Sequence, residues 1–196
     1  MNFTVTSIGR KALTVVALCA ASLGAHAAPI IYEGALTNGV TAFGDVPLNS
    51  HSNAANWDYW TFSGVAGDVV TITLDRTSNQ MDPGVLLYSG LGADSAGLTF
   101  GGSNSTDTLL TFLARDDDGG SDVPPGPFEN SLIANFLLTT TGTYTVAALD
   151  VLGVGNGPWT YGLTVRGFTG NAVPEPLSLA LVGFGLVGIA LSRRRA

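Results

Sequence analysis

The sequence predicts an all-β chain folded as a single antiparallel β-sandwich of jelly-roll or Greek-key type, with about eight strands. Three observations lead there. Apolar and polar residues alternate with a period of two wherever a pattern is visible. The alternating stretches are short and are punctuated by Gly, Asn, Asp and Pro. Between the two ends of the chain no segment carries a helical period.

Taken in order, the elements begin with a short edge strand near Ile30 to Glu33, followed by a strand from Trp57 to Ser63. In "VVTITLD" Val70, Ile72 and Leu74 fall on one face while Thr71, Thr73 and Asp75 take the other, as a half-buried strand requires. Gly84 to Tyr88, Thr108 to Ala114 and Ser131 to Leu138 supply three more. "GTYTVAALD" places Tyr144, Val146 and Ala148 on one side, and "WTYGLTVRG" sets Tyr161, Leu163 and Val165 against Thr160, Thr164 and Arg166. Two connections, Ser89 to Asp107 and Asp116 to Asn130, are too long for hairpins and rich in Gly, Ser, Asp and Pro. They are expected as surface excursions without a core of their own, and as the place where a site would sit.

The two ends read as addresses. Arg10 and Lys11, the run "ALTVVALCAAS" and small residues at Ala25 and Ala27 form a secretory signal over residues 1–27, cut after Ala27. Such a signal implies the Sec machinery and signal peptidase as partners. The single cysteine, Cys19, lies inside it, so no disulfide or thiolate chemistry is expected of the remainder. At the other end, Leu177 to Leu191 is uncharged and is fenced by Pro176 before it and by Arg193, Arg194 and Arg195 after it. Fifteen helical residues span about 23 Å against a hydrocarbon core of about 30 Å, a transmembrane helix that is short unless the arginines snorkel. Arginines at both ends hold them in the cytoplasm while the middle hangs outside. Pro-Glu-Pro is a stiff, extended, acidic strip suited to a protease cleft.

Val173, Pro174, Glu175 and Pro176, the apolar run and the arginine cluster together closely resemble the PEP-CTERM sorting signal of Gram-negative bacteria. The resemblance implies recognition and cleavage by a membrane-embedded protease, exosortase, and delivery from a transient membrane hairpin through 177–191 to the cell surface or its exopolysaccharide layer. A retained C-terminal anchor is the alternative. The expected organisation is therefore 1–27 signal peptide, 28–170 β-sandwich domain and 171–196 sorting signal.

Between Ala28 and Gly170 stand 12 Asp and 2 Glu against 3 Arg and no Lys. Nucleic acid is excluded as a partner by that sign. Enzyme chemistry fails on inventory: His51 is the one histidine beyond the signal, there is no G-x-S-x-G elbow, and no carboxylate pair is singled out around Glu33 or Glu129. The sharpest chemical feature is Asp116, Asp117, Asp118 and Asp122, hinged by Gly119 and Gly120, with Asp82 as a further member if the loops share one end of the sandwich. Calcium is the cation such a loop would wrap, although the spacing is not that of an EF-hand; an acidic turn held apart by water is the alternative. Trp57 and Trp159 are candidates for an exposed sugar-stacking platform, with Phe62 and Tyr161 assigned to the core.

The motifs "NWDYWTF", "GVAGDVVTITL", "MDPGVLLYSG", "ARDDDGG", "TGTYTVAAL" and "WTYGLTVRG" resemble, in that order, the bacterial pre-peptidase C-terminal domain, a small secreted β-sandwich. The positions that carry this are Asp58, Tyr59, Phe62, Gly67, Asp68, Asp82, Pro83, Leu87, Tyr88, Asp117, Asp118, Gly119, Gly142, Tyr144, Val146, Tyr161 and Val165. Such domains are appended to enzymes, whereas this one has no catalytic neighbour. The expectation is a non-enzymatic surface or matrix protein acting as a structural or interaction module, with a carbohydrate-binding module for exopolysaccharide as the alternative.

Overall fold

The computed structural model describes residues 28–48, 50–121, 128–153 and 155–170. The expected signal helix, the membrane run, the Pro-Glu-Pro strip, the arginine cluster and Asp122 lie outside them.

Nine strands are present among the described residues: β1 (Tyr32–Ala35), β2 (Thr41–Val46), β3 (Asp58–Gly64), β4 (Val69–Arg76), β5 (Pro83–Ser89), β6 (Thr111–Asp116), β7 (Ser131–Leu137), β8 (Gly142–Asp150) and β9 (Trp159–Arg166). They form a five-stranded sheet in the order β1-β3-β8-β5-β6 and a four-stranded sheet in the order β2-β9-β4-β7. This is the all-β sandwich expected, and helical structure among the described residues is limited to single 3-10 turns at Ser50–Ser52 and Ala54–Asn56. One pairing departs from the antiparallel rule, because β1 runs parallel to β3.

The period-two reading holds where one face meets water. In β4, Val70, Ile72 and Leu74 are fully buried while Thr71 and Thr73 are half-buried and Asp75 exposed. These residues meet Val85, Leu87, Val146, Leu163 and Val165 in the core between the sheets. Truncating any of the large ones to Ala would leave a cavity costing about 2–5 kcal/mol.

In the five-stranded sheet the alternation fails for a physical reason. β5 is buried from Pro83 through Tyr88, and β8 from Tyr144 through Asp150. A second apolar cluster, containing Trp57, Tyr59, Leu86, Tyr88, Leu98, Leu110 and Leu149, covers the outer face of this sheet. Part of that cover is the 89–107 connection, which brings Leu98 and Phe100 onto the sheet, closed by Leu110 just beyond it. The connection expected to lack a core is thus a lid over a central sheet that is apolar on both sides. It is stitched down by Ser105 Oγ, which accepts from Leu110 N at 3.0 Å, and by Asn104 Oδ1, which accepts from Phe112 N at 2.8 Å.

Strand β2 is the element the sequence did not announce. It places its large apolar residue outward, Phe43 being 71% exposed, and carries Gly44 in its middle. Glycine is needed there because a Cβ would lie 2.3 Å from Tyr161 Oη and 2.8 Å from Asp58 Oδ2. Those two atoms form a polar seam between the sheets: Tyr161 Oη donates to Asp58 Oδ2 at 2.6 Å and accepts from Trp60 Nε1 at 2.9 Å.

Candidate functional site

The fold gathers three carboxylates at one place. Asp82 immediately precedes β5, and Asp117 and Asp118 immediately follow β6, its neighbour in the sheet. Antiparallel pairing of β5 with β6 aligns Val85 with Asp116, so the start of one strand and the end of the other fall side by side. One oxygen from each of Asp82, Asp117 and Asp118 lies within 4.8 Å of the others.

The backbone around them is fixed by side chains not read as functional from the sequence. Ser131 Oγ sits 2.5 Å from the Pro83 carbonyl and 3.0 Å from the Asp117 carbonyl, tying the two loops together from β7. Asp150 Oδ1 accepts from Asp82 N at 3.0 Å and from Gly153 N at 3.1 Å. Asp116, expected as a ligand, plays a different part, since its Oδ2 accepts from Gly119 N and from Leu132 N, each at 2.7 Å. It closes the turn and anchors it to β7, which is why it stands outside the cluster. Gly119 is required by that closure, since a Cβ would meet Asp116 Oδ1 at 2.6 Å.

Electrostatically the cluster is strained. Asp82 is 5% exposed, and burial first, then the charges of Asp117, Asp118 and Asp150, push its carboxyl up to about 7. Burial and the neighbouring Asp118 and Asp116 push Asp117 up to about 6, with Arg115 and His51 opposing. The Oδ1 atom of Asp117 is buried without a hydrogen-bond partner. Burying a carboxylate oxygen unpaired is costly unless a cation meets it. A cleft of about 230 Å³ lined by Phe100, Arg115, Asp116 and Asp117 adjoins the group. Arg115 is held over the Phe100 ring, 5.0 Å from its centroid, and donates to the Phe100 carbonyl at 2.8 Å. His51 lies within electrostatic reach of Asp117 but is not one of the three residues whose ligand atoms converge.

The two tryptophans expected as an exposed platform are core residues. Trp57 is 4% exposed and donates its Nε1–H to the Ser50 carbonyl at 2.8 Å; Trp159 is 8% exposed and packs between the sheets. Neither offers a flat face to a sugar, because each apolar ring has a cluster to complete. Phe62 and Tyr161 are in the core, as expected.

Residues 172–195 match the PEP-CTERM protein-sorting motif. The chain therefore carries a signal for export and for sorting to the cell surface through exosortase. Among the described residues no helix is long and apolar enough to cross a membrane. No curated protein matches the chain by sequence. Among solved structures the fold is similar to that of CorA, a surface-associated copper-binding protein important in Methylomicrobium album BG8 copper acquisition. That match has 15% identity and a TM-score of 0.53, over 70% of this chain and 98% of that one. The pre-peptidase C-terminal domain of collagenase from Bacillus anthracis matches at 16% identity and a TM-score of 0.42, over 70% and 97% of the two chains. The copper-binding secreted protein MopE of Methylococcus capsulatus matches at 11% and 0.45, over 68% and 86%. The likeness to CorA is one of fold.

Proposed function

We propose that this protein is a non-enzymatic module displayed at the cell surface or in the extracellular matrix, with its loops braced by a divalent cation of the calcium type held by Asp82, Asp117 and Asp118. The observation that carries the metal reading is the convergence of three carboxylates, one of which, Asp117, keeps a buried oxygen without a hydrogen-bond partner. A hard cation would relieve the repulsion that raises Asp82 and Asp117, and would clamp the start of β5 to the loop after β6. Backbone carbonyls and water would complete the six to eight oxygens that calcium takes.

CorA is a copper-binding protein by name. The converging donors here are all carboxylate oxygens, a set suited to Ca²⁺, Mg²⁺ or Mn²⁺, whereas copper favours imidazole and sulfur. Copper binding at this place would need His51 to join. Export and sorting support the surface location, and cleavage at Pro174–Pro176 by exosortase, after loss of residues 1–27, would release residues 28–170 from the membrane as an interaction module.

Isothermal titration of the mature protein with Ca²⁺ and, separately, Cu²⁺ tests this, alongside an Asp117→Ala/Asp118→Ala double variant. Calcium heat that disappears in the double variant supports the reading. A protein that gives no calcium heat and no rise in melting temperature dismisses it, and copper heat lost in His51→Ala would replace calcium with copper.

A further inference from the structure

A second concavity, of about 250 Å³, opens between the N-terminal segment, the end of β2 and the start of β3. Its lining is mixed: Pro29, Ile31, Pro47, Trp57 and Tyr59 supply apolar groups, and Asn56 a polar one. Both aromatic rings are fixed with their polar ends turned inward, Trp57 Nε1 to the Ser50 carbonyl and Tyr59 Oη to the Ala54 carbonyl, each at 2.8 Å. Little of either ring is left accessible, Trp57 being 4% and Tyr59 1% exposed. Two acidic residues, Glu33 and Asp58, complete the lining.

We propose that this pocket binds a small organic cation, an ammonium or guanidinium on a short apolar stem, its charge against Glu33 and Asp58 and its stem against Ile31, Trp57 and the prolines. The reasoning is by elimination on chemistry. Anions are repelled. A bare metal ion finds no cage, because the oxygens of Glu33, Asp45 and Asp58 do not converge as those around Asp82 do. A cation with a hydrocarbon body satisfies both features of the lining at once, its charge meeting the carboxylates and its stem the exposed Ile31 and the prolines.

Asp58 is prepared for that role. Its carboxylate is held by Tyr161 Oη at 2.6 Å and by the Asp45 backbone N–H, so its direction is set before a ligand arrives. Burial is the main force that raises its pKa to about 6; the Tyr161 hydrogen bond from β9 opposes it, and the charges of Glu33 from β1 and Asp45 from β2 add to it. No arginine is among the charges that act on it. The cavity is thus a negative, partly desolvated site. The proposal is independent of the metal reading, since it shares no residue with the Asp82 group.

Calorimetry or NMR shift mapping of the mature protein at low ionic strength tests it, with n-butylammonium and agmatine as probes and n-butanol as the uncharged isostere. Both cations should bind saturably, shifting resonances of Trp57 and Ile31, and n-butanol should not. Glu33→Gln, an exposed change on an edge strand, should weaken binding about fivefold, as expected for loss of one solvent-facing charge partner. Binding should also fall as pH drops through about 6 and Asp58 takes up its proton. Asp118→Asn should leave it unchanged. Equal binding of n-butanol, or undiminished cation binding in a folded Glu33→Gln protein, would overturn the proposal.

Discussion

Replacing Asp82 with asparagine should stabilise the metal-free protein at pH 8 and do so by only about a third as much at pH 5. In the folded state Asp82 sits at about 7 against an ordinary 3.8. The folded protein therefore holds a proton that the unfolded chain has already lost between those values, so stability declines as pH rises from about 4 through about 7. At about 1.36 kcal/mol per pKa step the full displacement would approach about 4 kcal/mol at pH 8. Asp117 is only half-buried and Asp118 is exposed, so solvent screens much of their repulsion and a net effect on the order of 1–2 kcal/mol remains. Asparagine keeps the shape and still accepts the Leu152 backbone N–H, while removing the charge. For a domain of this size the gain corresponds to a rise in melting temperature of about 3–6 °C in chelator at pH 8. At pH 5 the folded protein holds the proton while the unfolded chain has lost it, so about one of the three pKa steps remains and the difference should shrink to about a third. Saturating calcium should reverse the order, since binding at 100 times Kd adds about 2.7 kcal/mol to the wild type and less to the variant. Differential scanning calorimetry at both pH values reads all of this. A variant that melts lower than wild type in chelator at pH 8 would show that the charge of Asp82 is compensated within the protein, and the electrostatic argument for a cation would fall.

Two further outcomes are expected. The Tyr88 hydroxyl is fully buried without a partner in the outer apolar cluster, so Tyr88→Phe should stabilise by about 1 kcal/mol, seen as a higher urea midpoint at constant m; a loss instead would show that the hydroxyl is satisfied. At the C-terminal signal, a Pro174→Ala/Glu175→Ala/Pro176→Ala variant should accumulate in the membrane at a mass that still includes residues 177–196, while the wild-type protein recovered from the surface should lack them. Identical intact masses would count against cleavage at this motif.

The strands that are visible in the sequence are those with one wet face. β4 alternates because water reaches Val69, Thr71, Thr73 and Asp75, whereas the outer face of β9 is wet at Thr160 and Arg166 and buried at Gly162 and Thr164; the alternation alone is enough to name Ile72, Leu74, Leu163 and Val165 as inner-core residues. β2 is hidden for the opposite reason: Phe43 points outward and Gly44 sits where a side chain would collide with Tyr161, so its pattern encodes the seam between sheets and not a hydrophobic face. The lid is equally hard to read. Leu98 and Phe100 lie singly among Gly, Ser and Asn, and only the apolar outer faces of β5 and β8 reveal that something must cover them; "GVLLYS" and "TVAALD", apolar at consecutive positions, carry that signal.

The Asp82–Asp117–Asp118 group illustrates how far a local run of residues can mislead. Four aspartates within seven residues suggest that neighbours in sequence share a cation. Adjacent side chains in an extended segment point in opposite directions, however, and the turn after β6 splits the run between two roles. Asp116 takes the two backbone N–H groups that close the turn, while Asp117 and Asp118 are left facing Asp82, which lies 35 residues before Asp117 in the chain but one strand away in the sheet. What brings the three carboxylates together is therefore the β5–β6 register together with Ser131, which touches both loops. A serine at the first position of a strand has no signature of its own, and its role exists only once β7 is packed against the paired ends of β5 and β6. The same logic explains the Glu33–Asp58 pocket: its two carboxylates come from strands paired in parallel, an arrangement that period-two patterning cannot distinguish from an antiparallel one, because the pattern records which face a residue takes and carries no information about the direction of its neighbour.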